Sequence, residues 1–439
     1  ILDKLKDADF VNVIRGKTEP DHCGHVGLIA IGENGSVNFL HSSEPVVKEE
    51  PLLDYMKAQL KKNEKAGEKD NLFFGFKFFR LRTDAVERLR AMDGLAAPRI
   101  TGPGGLLTSR LSYPGWVEPR APLSSEESAA VAKLGLDSDR IALLKARPLH
   151  EFTEKDLDLY LGWLHEAQPA LPLRVRHLAR KAIGMPYQIY LLGEFPFEIY
   201  DDAPLYTLNK GDCVVFSEHI YAMALSRSWQ EFFVFLQRLR YQNGEIGILT
   251  RNHFTIPEWD AGNSWLLEDK SRDLAGDQAL VLTDRTRHSP FFKERYGIVV
   301  DIPDITIETN VVPSEMIPSI LPQLKTGDFV NIIFASGKSC WASHVGLIIV
   351  AEDGAVNFLH ATRPSVREEP LLDYDARQNA DNIKRKAEGK ATFIGFKFLR
   401  LRSDPLAELR KIDGPEAPVV KAPLGVTLGP GRRWTPEEE

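Results

Sequence analysis

Apolar side chains between residues 145 and 300 recur three and four positions apart, the spacing of helices with one buried face. Thr153-Glu-Lys-Asp156, followed by Leu157, Tyr160, Leu161 and Leu164, predicts a helix over 154–167 behind a capping box. Leu173 to Ile183 reads as a second helix stopped by Gly184, with Pro169 and Pro172 breaking the chain before it. Asp212 is placed to N-cap a helix that opens with Cys213 and continues through Val214, Phe216, Ile220, Met223 and Ala224. Ser228-Trp-Gln-Glu231 predicts a capping box for a further helix to about Arg240. After residue 300 the spacing shortens to that of strands: Phe329 to Phe334, His344 to Val350, Val356 to His360 and Phe393 to Leu401, expected to form an antiparallel sheet. Helices first and strands second predict an α+β domain.

The strand texture occurs twice. Asp9-Phe-Val-Asn12 returns as Asp328-Phe-Val-Asn331, His25-Val-Gly-Leu-Ile29 as His344-Val-Gly-Leu-Ile348, and Val37-Asn-Phe-Leu-His41 as Val356-Asn-Phe-Leu-His360, all at one offset of 319 residues (25 to 344, 41 to 360). Pro51-Leu-Leu-Asp-Tyr55 and Pro370-Leu-Leu-Asp-Tyr374 keep that offset, and Gly75-Phe-Lys-Phe and Gly395-Phe-Lys-Phe follow with a shift of one. Both copies run into Pro/Gly-rich stretches, Gly102 to Trp116 and Gly429 to Trp434. The expected organisation is an incomplete, His-bearing copy at 1–104, a Pro/Gly-rich linker at 105–144, a helical half at 145–304, a β-rich half at 305–421 and a tail at 422–439. One whole unit of about 320 residues would begin near residue 120, so residues 1–119 read as the end of a preceding unit in a longer tandem protein. A terminal half-domain copied and fused in front gives the same pattern.

Composition narrows the function classes. A formal charge of −7, from 62 acidic and 55 basic residues with no long basic block, argues against a nucleic-acid partner. No apolar run reaches the roughly 18 residues of a membrane span. Three cysteines, Cys23, Cys213 and Cys340, make no disulfide framework, so each is a buried apolar residue or a reactive thiol. His22, Cys23 and His25 are close in sequence but lack a further ligand set, and no metal or other cofactor is expected.

Cys213 is the thiol whose position carries chemistry. Unpaired N–H groups and the positive end of the dipole at a helix start favour thiolate, so its pKa is expected to be lowered. His344 opens one strand and His360 ends the next. If Ala351 pairs with Ala355, Gly346 opposes His360, both histidines share a face, and Gly346 leaves room beside His344. A register shifted by one residue separates them.

Gly184-Met-Pro-Tyr187, Gly211-Asp-Cys-Val-Val-Phe216, Arg251-Asn-His-Phe254, Ser343-His-Val-Gly346 and Phe358-Leu-His360, in that order, resemble the bacterial N-acetylmuramoyl-L-alanine amidase-like family, a branch of the NlpC-type, papain-like cell-wall cysteine hydrolases. The resemblance covers roughly residues 145–412 and, in its His-bearing part, residues 1–94. It implies a papain-like fold, with Cys213 as nucleophile, His344 as general base and His360 orienting it. It also implies substrate contacts from Tyr187, Asp212, Arg251, Asn252, His253 and Ser343. The implied activity is hydrolysis of an amide in bacterial peptidoglycan peptides, either the N-acetylmuramoyl–L-alanine bond or a D-glutamyl–diamino acid bond, in the periplasm, the envelope or the secreted fraction. The segment Gln188 to Asn209 is longer than the family pattern, and Val215 replaces a common Thr. His253 is a second candidate base.

The first copy holds His25 and His41 but no helix-start cysteine; Cys23 aligns with Ala342, so this copy is expected to be inactive. Its sheet should expose an apolar face and dock onto another chain, onto residues 145–300 or onto an upstream segment, which makes self-association through 1–104 an expectation. The alternative function is a non-catalytic envelope binding or assembly protein built from tandem amidase-like units, and acyl transfer to or from lipids suits the same residues.

Overall fold

The computed structural model of the chain describes residues 2–17, 19–32, 34–43, 46–67, 71–80, 82, 84, 120–423 and 426–428. The stretches Gly102 to Trp116 and Gly429 to Trp434 lie outside them. The chain divides into two compact units, residues 1–100 and 101–439.

The first unit is a five-stranded antiparallel sheet. Its strands are β1 (Phe10–Gly16), β2 (Pro20–Ile31), β3 (Val37–Ser43), β4 (Val46–Pro51) and β5 (Leu72–Phe79), in the order β4-β3-β2-β1-β5. Helix α1 (Leu52–Asn63) lays Leu52 and Tyr55 onto one face, where Val11, Val13, Ile29, Phe39 and Phe73 complete a small core. Alternation along each strand decides what the other face shows. There Phe10, Val26, Leu28 and Phe79 are 40–44% exposed.

The second unit opens with helices where a linker was expected at 105–144. Residues 125–134 form α2 (Ser125–Leu134), capped by a reciprocal Ser124–Glu127 box, and α3 (Ser138–Ala146) is capped by Asp137. Ala130, Val131, Ile141 and Leu144 are buried, and this amphipathic patterning outweighs the Pro/Gly composition of the preceding stretch. Helix α4 (Glu154–Ala167) has the expected Thr153–Asp156 box. Helix α5 (Leu171–Lys181) begins two residues earlier than its periodicity suggests, because Pro172 sits in the first turn, where its missing N–H is not needed. It is capped at Ala182; Gly184, at φ +89°, instead donates its N–H to Val366 O. Helix α6 (Cys213–Leu225) follows Asp212, and α7 (Trp229–Arg240) follows Ser228. The box at α7 is half made: Ser228 accepts from Glu231 N, while Glu231 accepts from Arg227 N.

Strands arise earlier than residue 300. β6 (Leu267–Asp269) and β7 (Leu280–Thr286) belong to the same sheet as β8 (Ile305–Pro313), β9 (Phe329–Ser336), β10 (Ser339–Val350), β11 (Val356–Ala361), β12 (Val366–Pro370) and β13 (Thr392–Leu401). Helix α8 (His288–Tyr296) joins β7 to β8, and α9 (Leu371–Ala387) joins β12 to β13. The run β12-β11-β10-β9-β13 repeats the strand order of the first unit. β13 also pairs with β8, β8 with β7, and β7 with the start of β10, so these strands close a ring. That last pairing, Ser339↔Thr283 and Cys340↔Asp284, is parallel, so the sheet is mixed where a wholly antiparallel one was expected.

One sheet face, with Val345, Leu347, Ile349 and Leu359, packs under the helices in the largest core; the other, with Ile348 and Phe358, packs under α9 through Leu371 and Tyr374. At the end of the chain Val420–Ala422 pairs with Val426–Leu428, so the expected tail at 422–439 starts inside a two-stranded ribbon.

Candidate active site

The turn after β10 sets the geometry of the site. Ala351 N donates to Ala355 O, and Leu347 pairs with Leu359, which puts His344 and His360 on one face. A Cβ at Gly346 would lie 2.6 Å from the Phe358 ring and 2.8 Å from His360 Cβ, so the room expected beside this glycine is already filled, and glycine is there to let β11 side chains cross. Phe358 stacks on His360 at 4.5 Å, and Tyr374 meets the same ring edge-on at 5.5 Å, so the imidazole is held on two sides.

His344 Nε2 stands 2.7 Å from His360 Nδ1, and His360 Nε2 stands 2.8 Å from Glu369 Oε1. Arg377 donates to both oxygens of Glu369, at 2.6 and 2.9 Å. Although burial works against it, these donors hold the Glu369 carboxyl well below the usual carboxylate range. An ionised Glu369 accepts only, so His360 must carry its proton on Nε2 and accept at Nδ1. His344 then donates from Nε2, which leaves Nδ1 as a free lone pair. Burial, with His360 and Arg367 nearby, depresses the pKa of His344 to about 3, and burial also lowers that of His360. Both rings are neutral at pH 7. Glu369 is the residue that sequence reasoning missed; the repeat held its signal, since Glu50 and Glu369 share the 319-residue offset.

Cys213 is half-buried at the first turn of α6, where Asp212 accepts from the N–H groups of Val214 and Val215 at 3.0 and 2.9 Å. Asp212 is thus the helix cap rather than a group free to hold substrate. Burial and the Asp212 charge push the Cys213 thiol up to about 12, against the N–H groups of Val345, Val214 and Cys213 itself, which favour thiolate. The expected lowering is reversed: the helix-start contribution is present, and desolvation exceeds it. The contact with Val345 N–H sets the sulfur at the residue after His344. Tyr187, whose N–H donates to Pro364 O, is pushed up to about 12 by burial and by Cys213 and Asp212 nearby, so its hydroxyl stays protonated.

A cavity of about 640 Å³ opens beside the histidines, with Ser343, His344, His360, Tyr374 and Trp341 in its wall. Arg251, Asn252 and His253 are placed elsewhere. Arg251 is buried and ties down the segment Gln188 to Asn209: it donates to Leu192 O at 2.9 Å, to Asp201 Oδ2 at 2.9 Å and to Tyr296 Oη at 2.6 Å. Asn252 donates to Leu239 O. His253 Nε2 donates to Ile248 O, among Phe291, Phe292 and Tyr296, and burial depresses its pKa to about 3. The motif anchors the long insert through Arg251, and its three residues are not among those that line the cavity beside the histidines.

The first unit makes the same side-chain chain. His25 Nε2 is 2.9 Å from His41 Nδ1, and His41 Nε2 is 3.0 Å from Glu50 Oε1. Cys23 is exposed on β2, not at a helix start. Among the described residues no cluster of three His, Cys, Asp or Glu side chains is arranged to hold a metal ion.

Residues 177–380 match the model of the AmiA-like family, described as N-acetylmuramoyl-L-alanine amidase-like. The second unit therefore carries an amidase-like domain. Among solved structures, a protein from Legionella pneumophila is 19% identical over 58% of this chain and 95% of its own, with a TM-score of 0.48. An N-acetylmuramoyl-L-alanine amidase from Bacteroides uniformis is 20% identical over 53% of this chain and 99% of its own, with a TM-score of 0.42. No curated protein matches the chain.

Proposed function

We propose that the second unit is a thiol amidohydrolase of papain-like, NlpC-type design that cuts an amide bond in bacterial peptidoglycan peptides. The observation that carries this reading is the His344–His360–Glu369 chain of hydrogen bonds together with a thiol on the first turn of α6 that meets the N–H of Val345, the residue after His344. Cys213 attacks the amide carbon as its proton passes to His344 Nδ1. The imidazolium so formed is stabilised through His360 by the ionised Glu369, which orients both rings without itself taking the proton. The Cys213 backbone N–H and the Tyr187 hydroxyl are the donors for the oxyanion. His344 then returns the proton to the leaving amine, and water releases the acyl group from sulfur.

The uncharged resting pair fits an attack in which the thiol proton passes to His344 as the sulfur bonds to the amide carbon. The family description supports peptidoglycan as substrate and an extracytoplasmic place of work, in the periplasm or at the cell envelope. Among the described residues, no helix is long and apolar enough to cross a membrane. The bond cut is the N-acetylmuramoyl–L-alanine amide or the D-glutamyl–diamino acid amide; mass spectrometry of digested muropeptides identifies it from the new termini. Release by wild type that is abolished in Cys213→Ala and by iodoacetamide supports the proposal, and undiminished release by Cys213→Ala refutes it. A second reading, an envelope binding protein without turnover, is favoured by the first unit, which has the relay and an exposed apolar sheet face suited to self-association. Retention on insoluble peptidoglycan with no release would select it.

A further inference from the structure

The cavity beside His344 has a charge pattern that amide hydrolysis by itself does not require. Arg367, Arg377, Arg385 and Lys390 all reach its wall, and among its lining residues there is no carboxylate. The carboxylates that touch these cations stand outside the wall. Glu369 takes Arg377 at 2.6 Å and Arg367 at 3.3 Å, and Glu388 takes Lys390 at 2.7 Å. Four positive charges against two negative ones leave an excess of two, at one mouth of a chain whose net charge is −7.

Arg385 is the least satisfied of the four. Its guanidinium lies 4.7 Å over the Phe334 ring, and its Nε is buried without a hydrogen-bond partner. Among the described residues it makes no ion pair. Buried donors in folded proteins normally find an acceptor, so a guanidinium at the cavity wall that makes no ion pair among the described residues has donor capacity to spare for a ligand.

The first unit shows that the arginines are not needed to hold the histidines. At the 319-residue offset Arg377 and Arg385 correspond to Ala58 and Ala66, and Arg367 to Lys48. The His25–His41–Glu50 chain nevertheless forms there, at 2.9 and 3.0 Å.

Resting on the amidase reading, we propose that Arg385, with Lys390 beside it, forms a carboxylate subsite, so that the preferred substrates are peptides with a free carboxylate near the scissile amide. Glu369 already engages Arg367 and Arg377, and Glu388 engages Lys390, which leaves Arg385 as the cation to take the incoming group, with Lys390 adding its charge at the same wall. A planar guanidinium fixed on an aromatic face offers parallel N–H donors that match a carboxylate.

The test uses N-acetylmuramoyl-L-alanyl-D-glutamyl-diamino acid with free carboxylates and its fully amidated twin. For the full chain kcat/KM is expected to favour the acid form by about 10-fold or more, the difference lying in KM. Arg385→Gln should remove that preference and leave the amidated twin unchanged; Arg385→Lys should restore part of it, and Lys390→Gln should weaken it less. Calorimetric binding of the same pair to Cys213→Ala, with and without Arg385→Gln, reads the subsite without turnover. Equal affinity for the two peptides, or a preference that survives Arg385→Gln, overturns the subsite. A preference in binding that Arg385→Gln abolishes, with no hydrolysis of either peptide by wild type, supports the subsite and overturns the amidase reading alone.

Discussion

The two His-bearing sheets build one relay in different surroundings. His25, His41 and Glu50 stand within 0.2 Å of the spacings that His344, His360 and Glu369 keep, at 2.9 and 3.0 Å against 2.7 and 2.8 Å. What differs is the far face of each sheet. Phe10, Val26, Leu28 and Phe79 are 40–44% exposed, whereas Phe329, Val345, Leu347 and Leu399, at the corresponding places, are at most 2% exposed. In the second unit that face lies in one core with α6, the helix that supplies Cys213. The His–His–Glu chain is therefore a product of three neighbouring strands and their register, whereas the site proposed above also draws on a helix from more than a hundred residues earlier. The second difference is charge: Arg377 braces Glu369, and in the first unit Ala58 stands at the corresponding place.

This contrast can be broken by mutation. Cys213→Ala should lower amide hydrolysis by at least about 10³-fold, with the fold retained by circular dichroism. His344→Ala should fall comparably, while His25→Ala leaves turnover unchanged; a loss with His25→Ala would show that the first relay takes part in turnover. Stability should separate the two sheet faces next. Leu347→Ala is expected to cost about 2–5 kcal/mol in urea unfolding, and Leu28→Ala within about 1 kcal/mol. An equal cost would mean that Leu28 is covered in solution.

The pH dependence sharpens the comparison further. His344 titrates at about 3 in the folded chain against 6.5 when free. Between those values the unfolded chain binds the extra proton, so the contribution of neutral His344 is complete above about pH 6.5 and is lost as pH falls toward 3. The expected slope for one such proton is about 1.4 kcal/mol per pH unit, and His344→Gln should flatten it in urea titrations between pH 4 and 6. The smallest effect is expected from Asp212→Asn. It keeps an acceptor for the cap, so stability should change by a few tenths of a kcal/mol, about the spread among good N-cap residues. Removing the charge should move the pH profile of iodoacetamide labelling at Cys213 downward; an unmoved profile would assign the raised thiol pKa to burial alone.

Much of the site was legible. The cap at Asp212, the helix opening at Cys213, and the Ala351–Ala355 turn that aligns His344 with His360 all rest on contacts within a few residues, and such contacts are written in the order of side chains. The anchor role of Arg251 and His253 was not legible, because a motif gives residue types and not the Gln188–Asn209 insert that folds over it. Glu369 was hidden for a related reason. Acidic residues on strands are common, and beyond the recurrence of Glu50 as Glu369 it is the hydrogen bond across β11 and β12 that singles this one out. The helices at 125–146 were masked by the Pro/Gly composition before them, although Ser124 and Glu127 carried their own start signal.

By itself, then, the order of residues determined the periodicities, caps, turn and repeat, since each depends on free energies exchanged between near neighbours. Tertiary structure decided the protonation of the site. A helix start favours thiolate wherever it occurs, yet the Cys213 thiol stands at about 12, because how much water is removed depends on the sheet packed against α6. Desolvation is set by everything within several ångströms, and no local pattern encodes it.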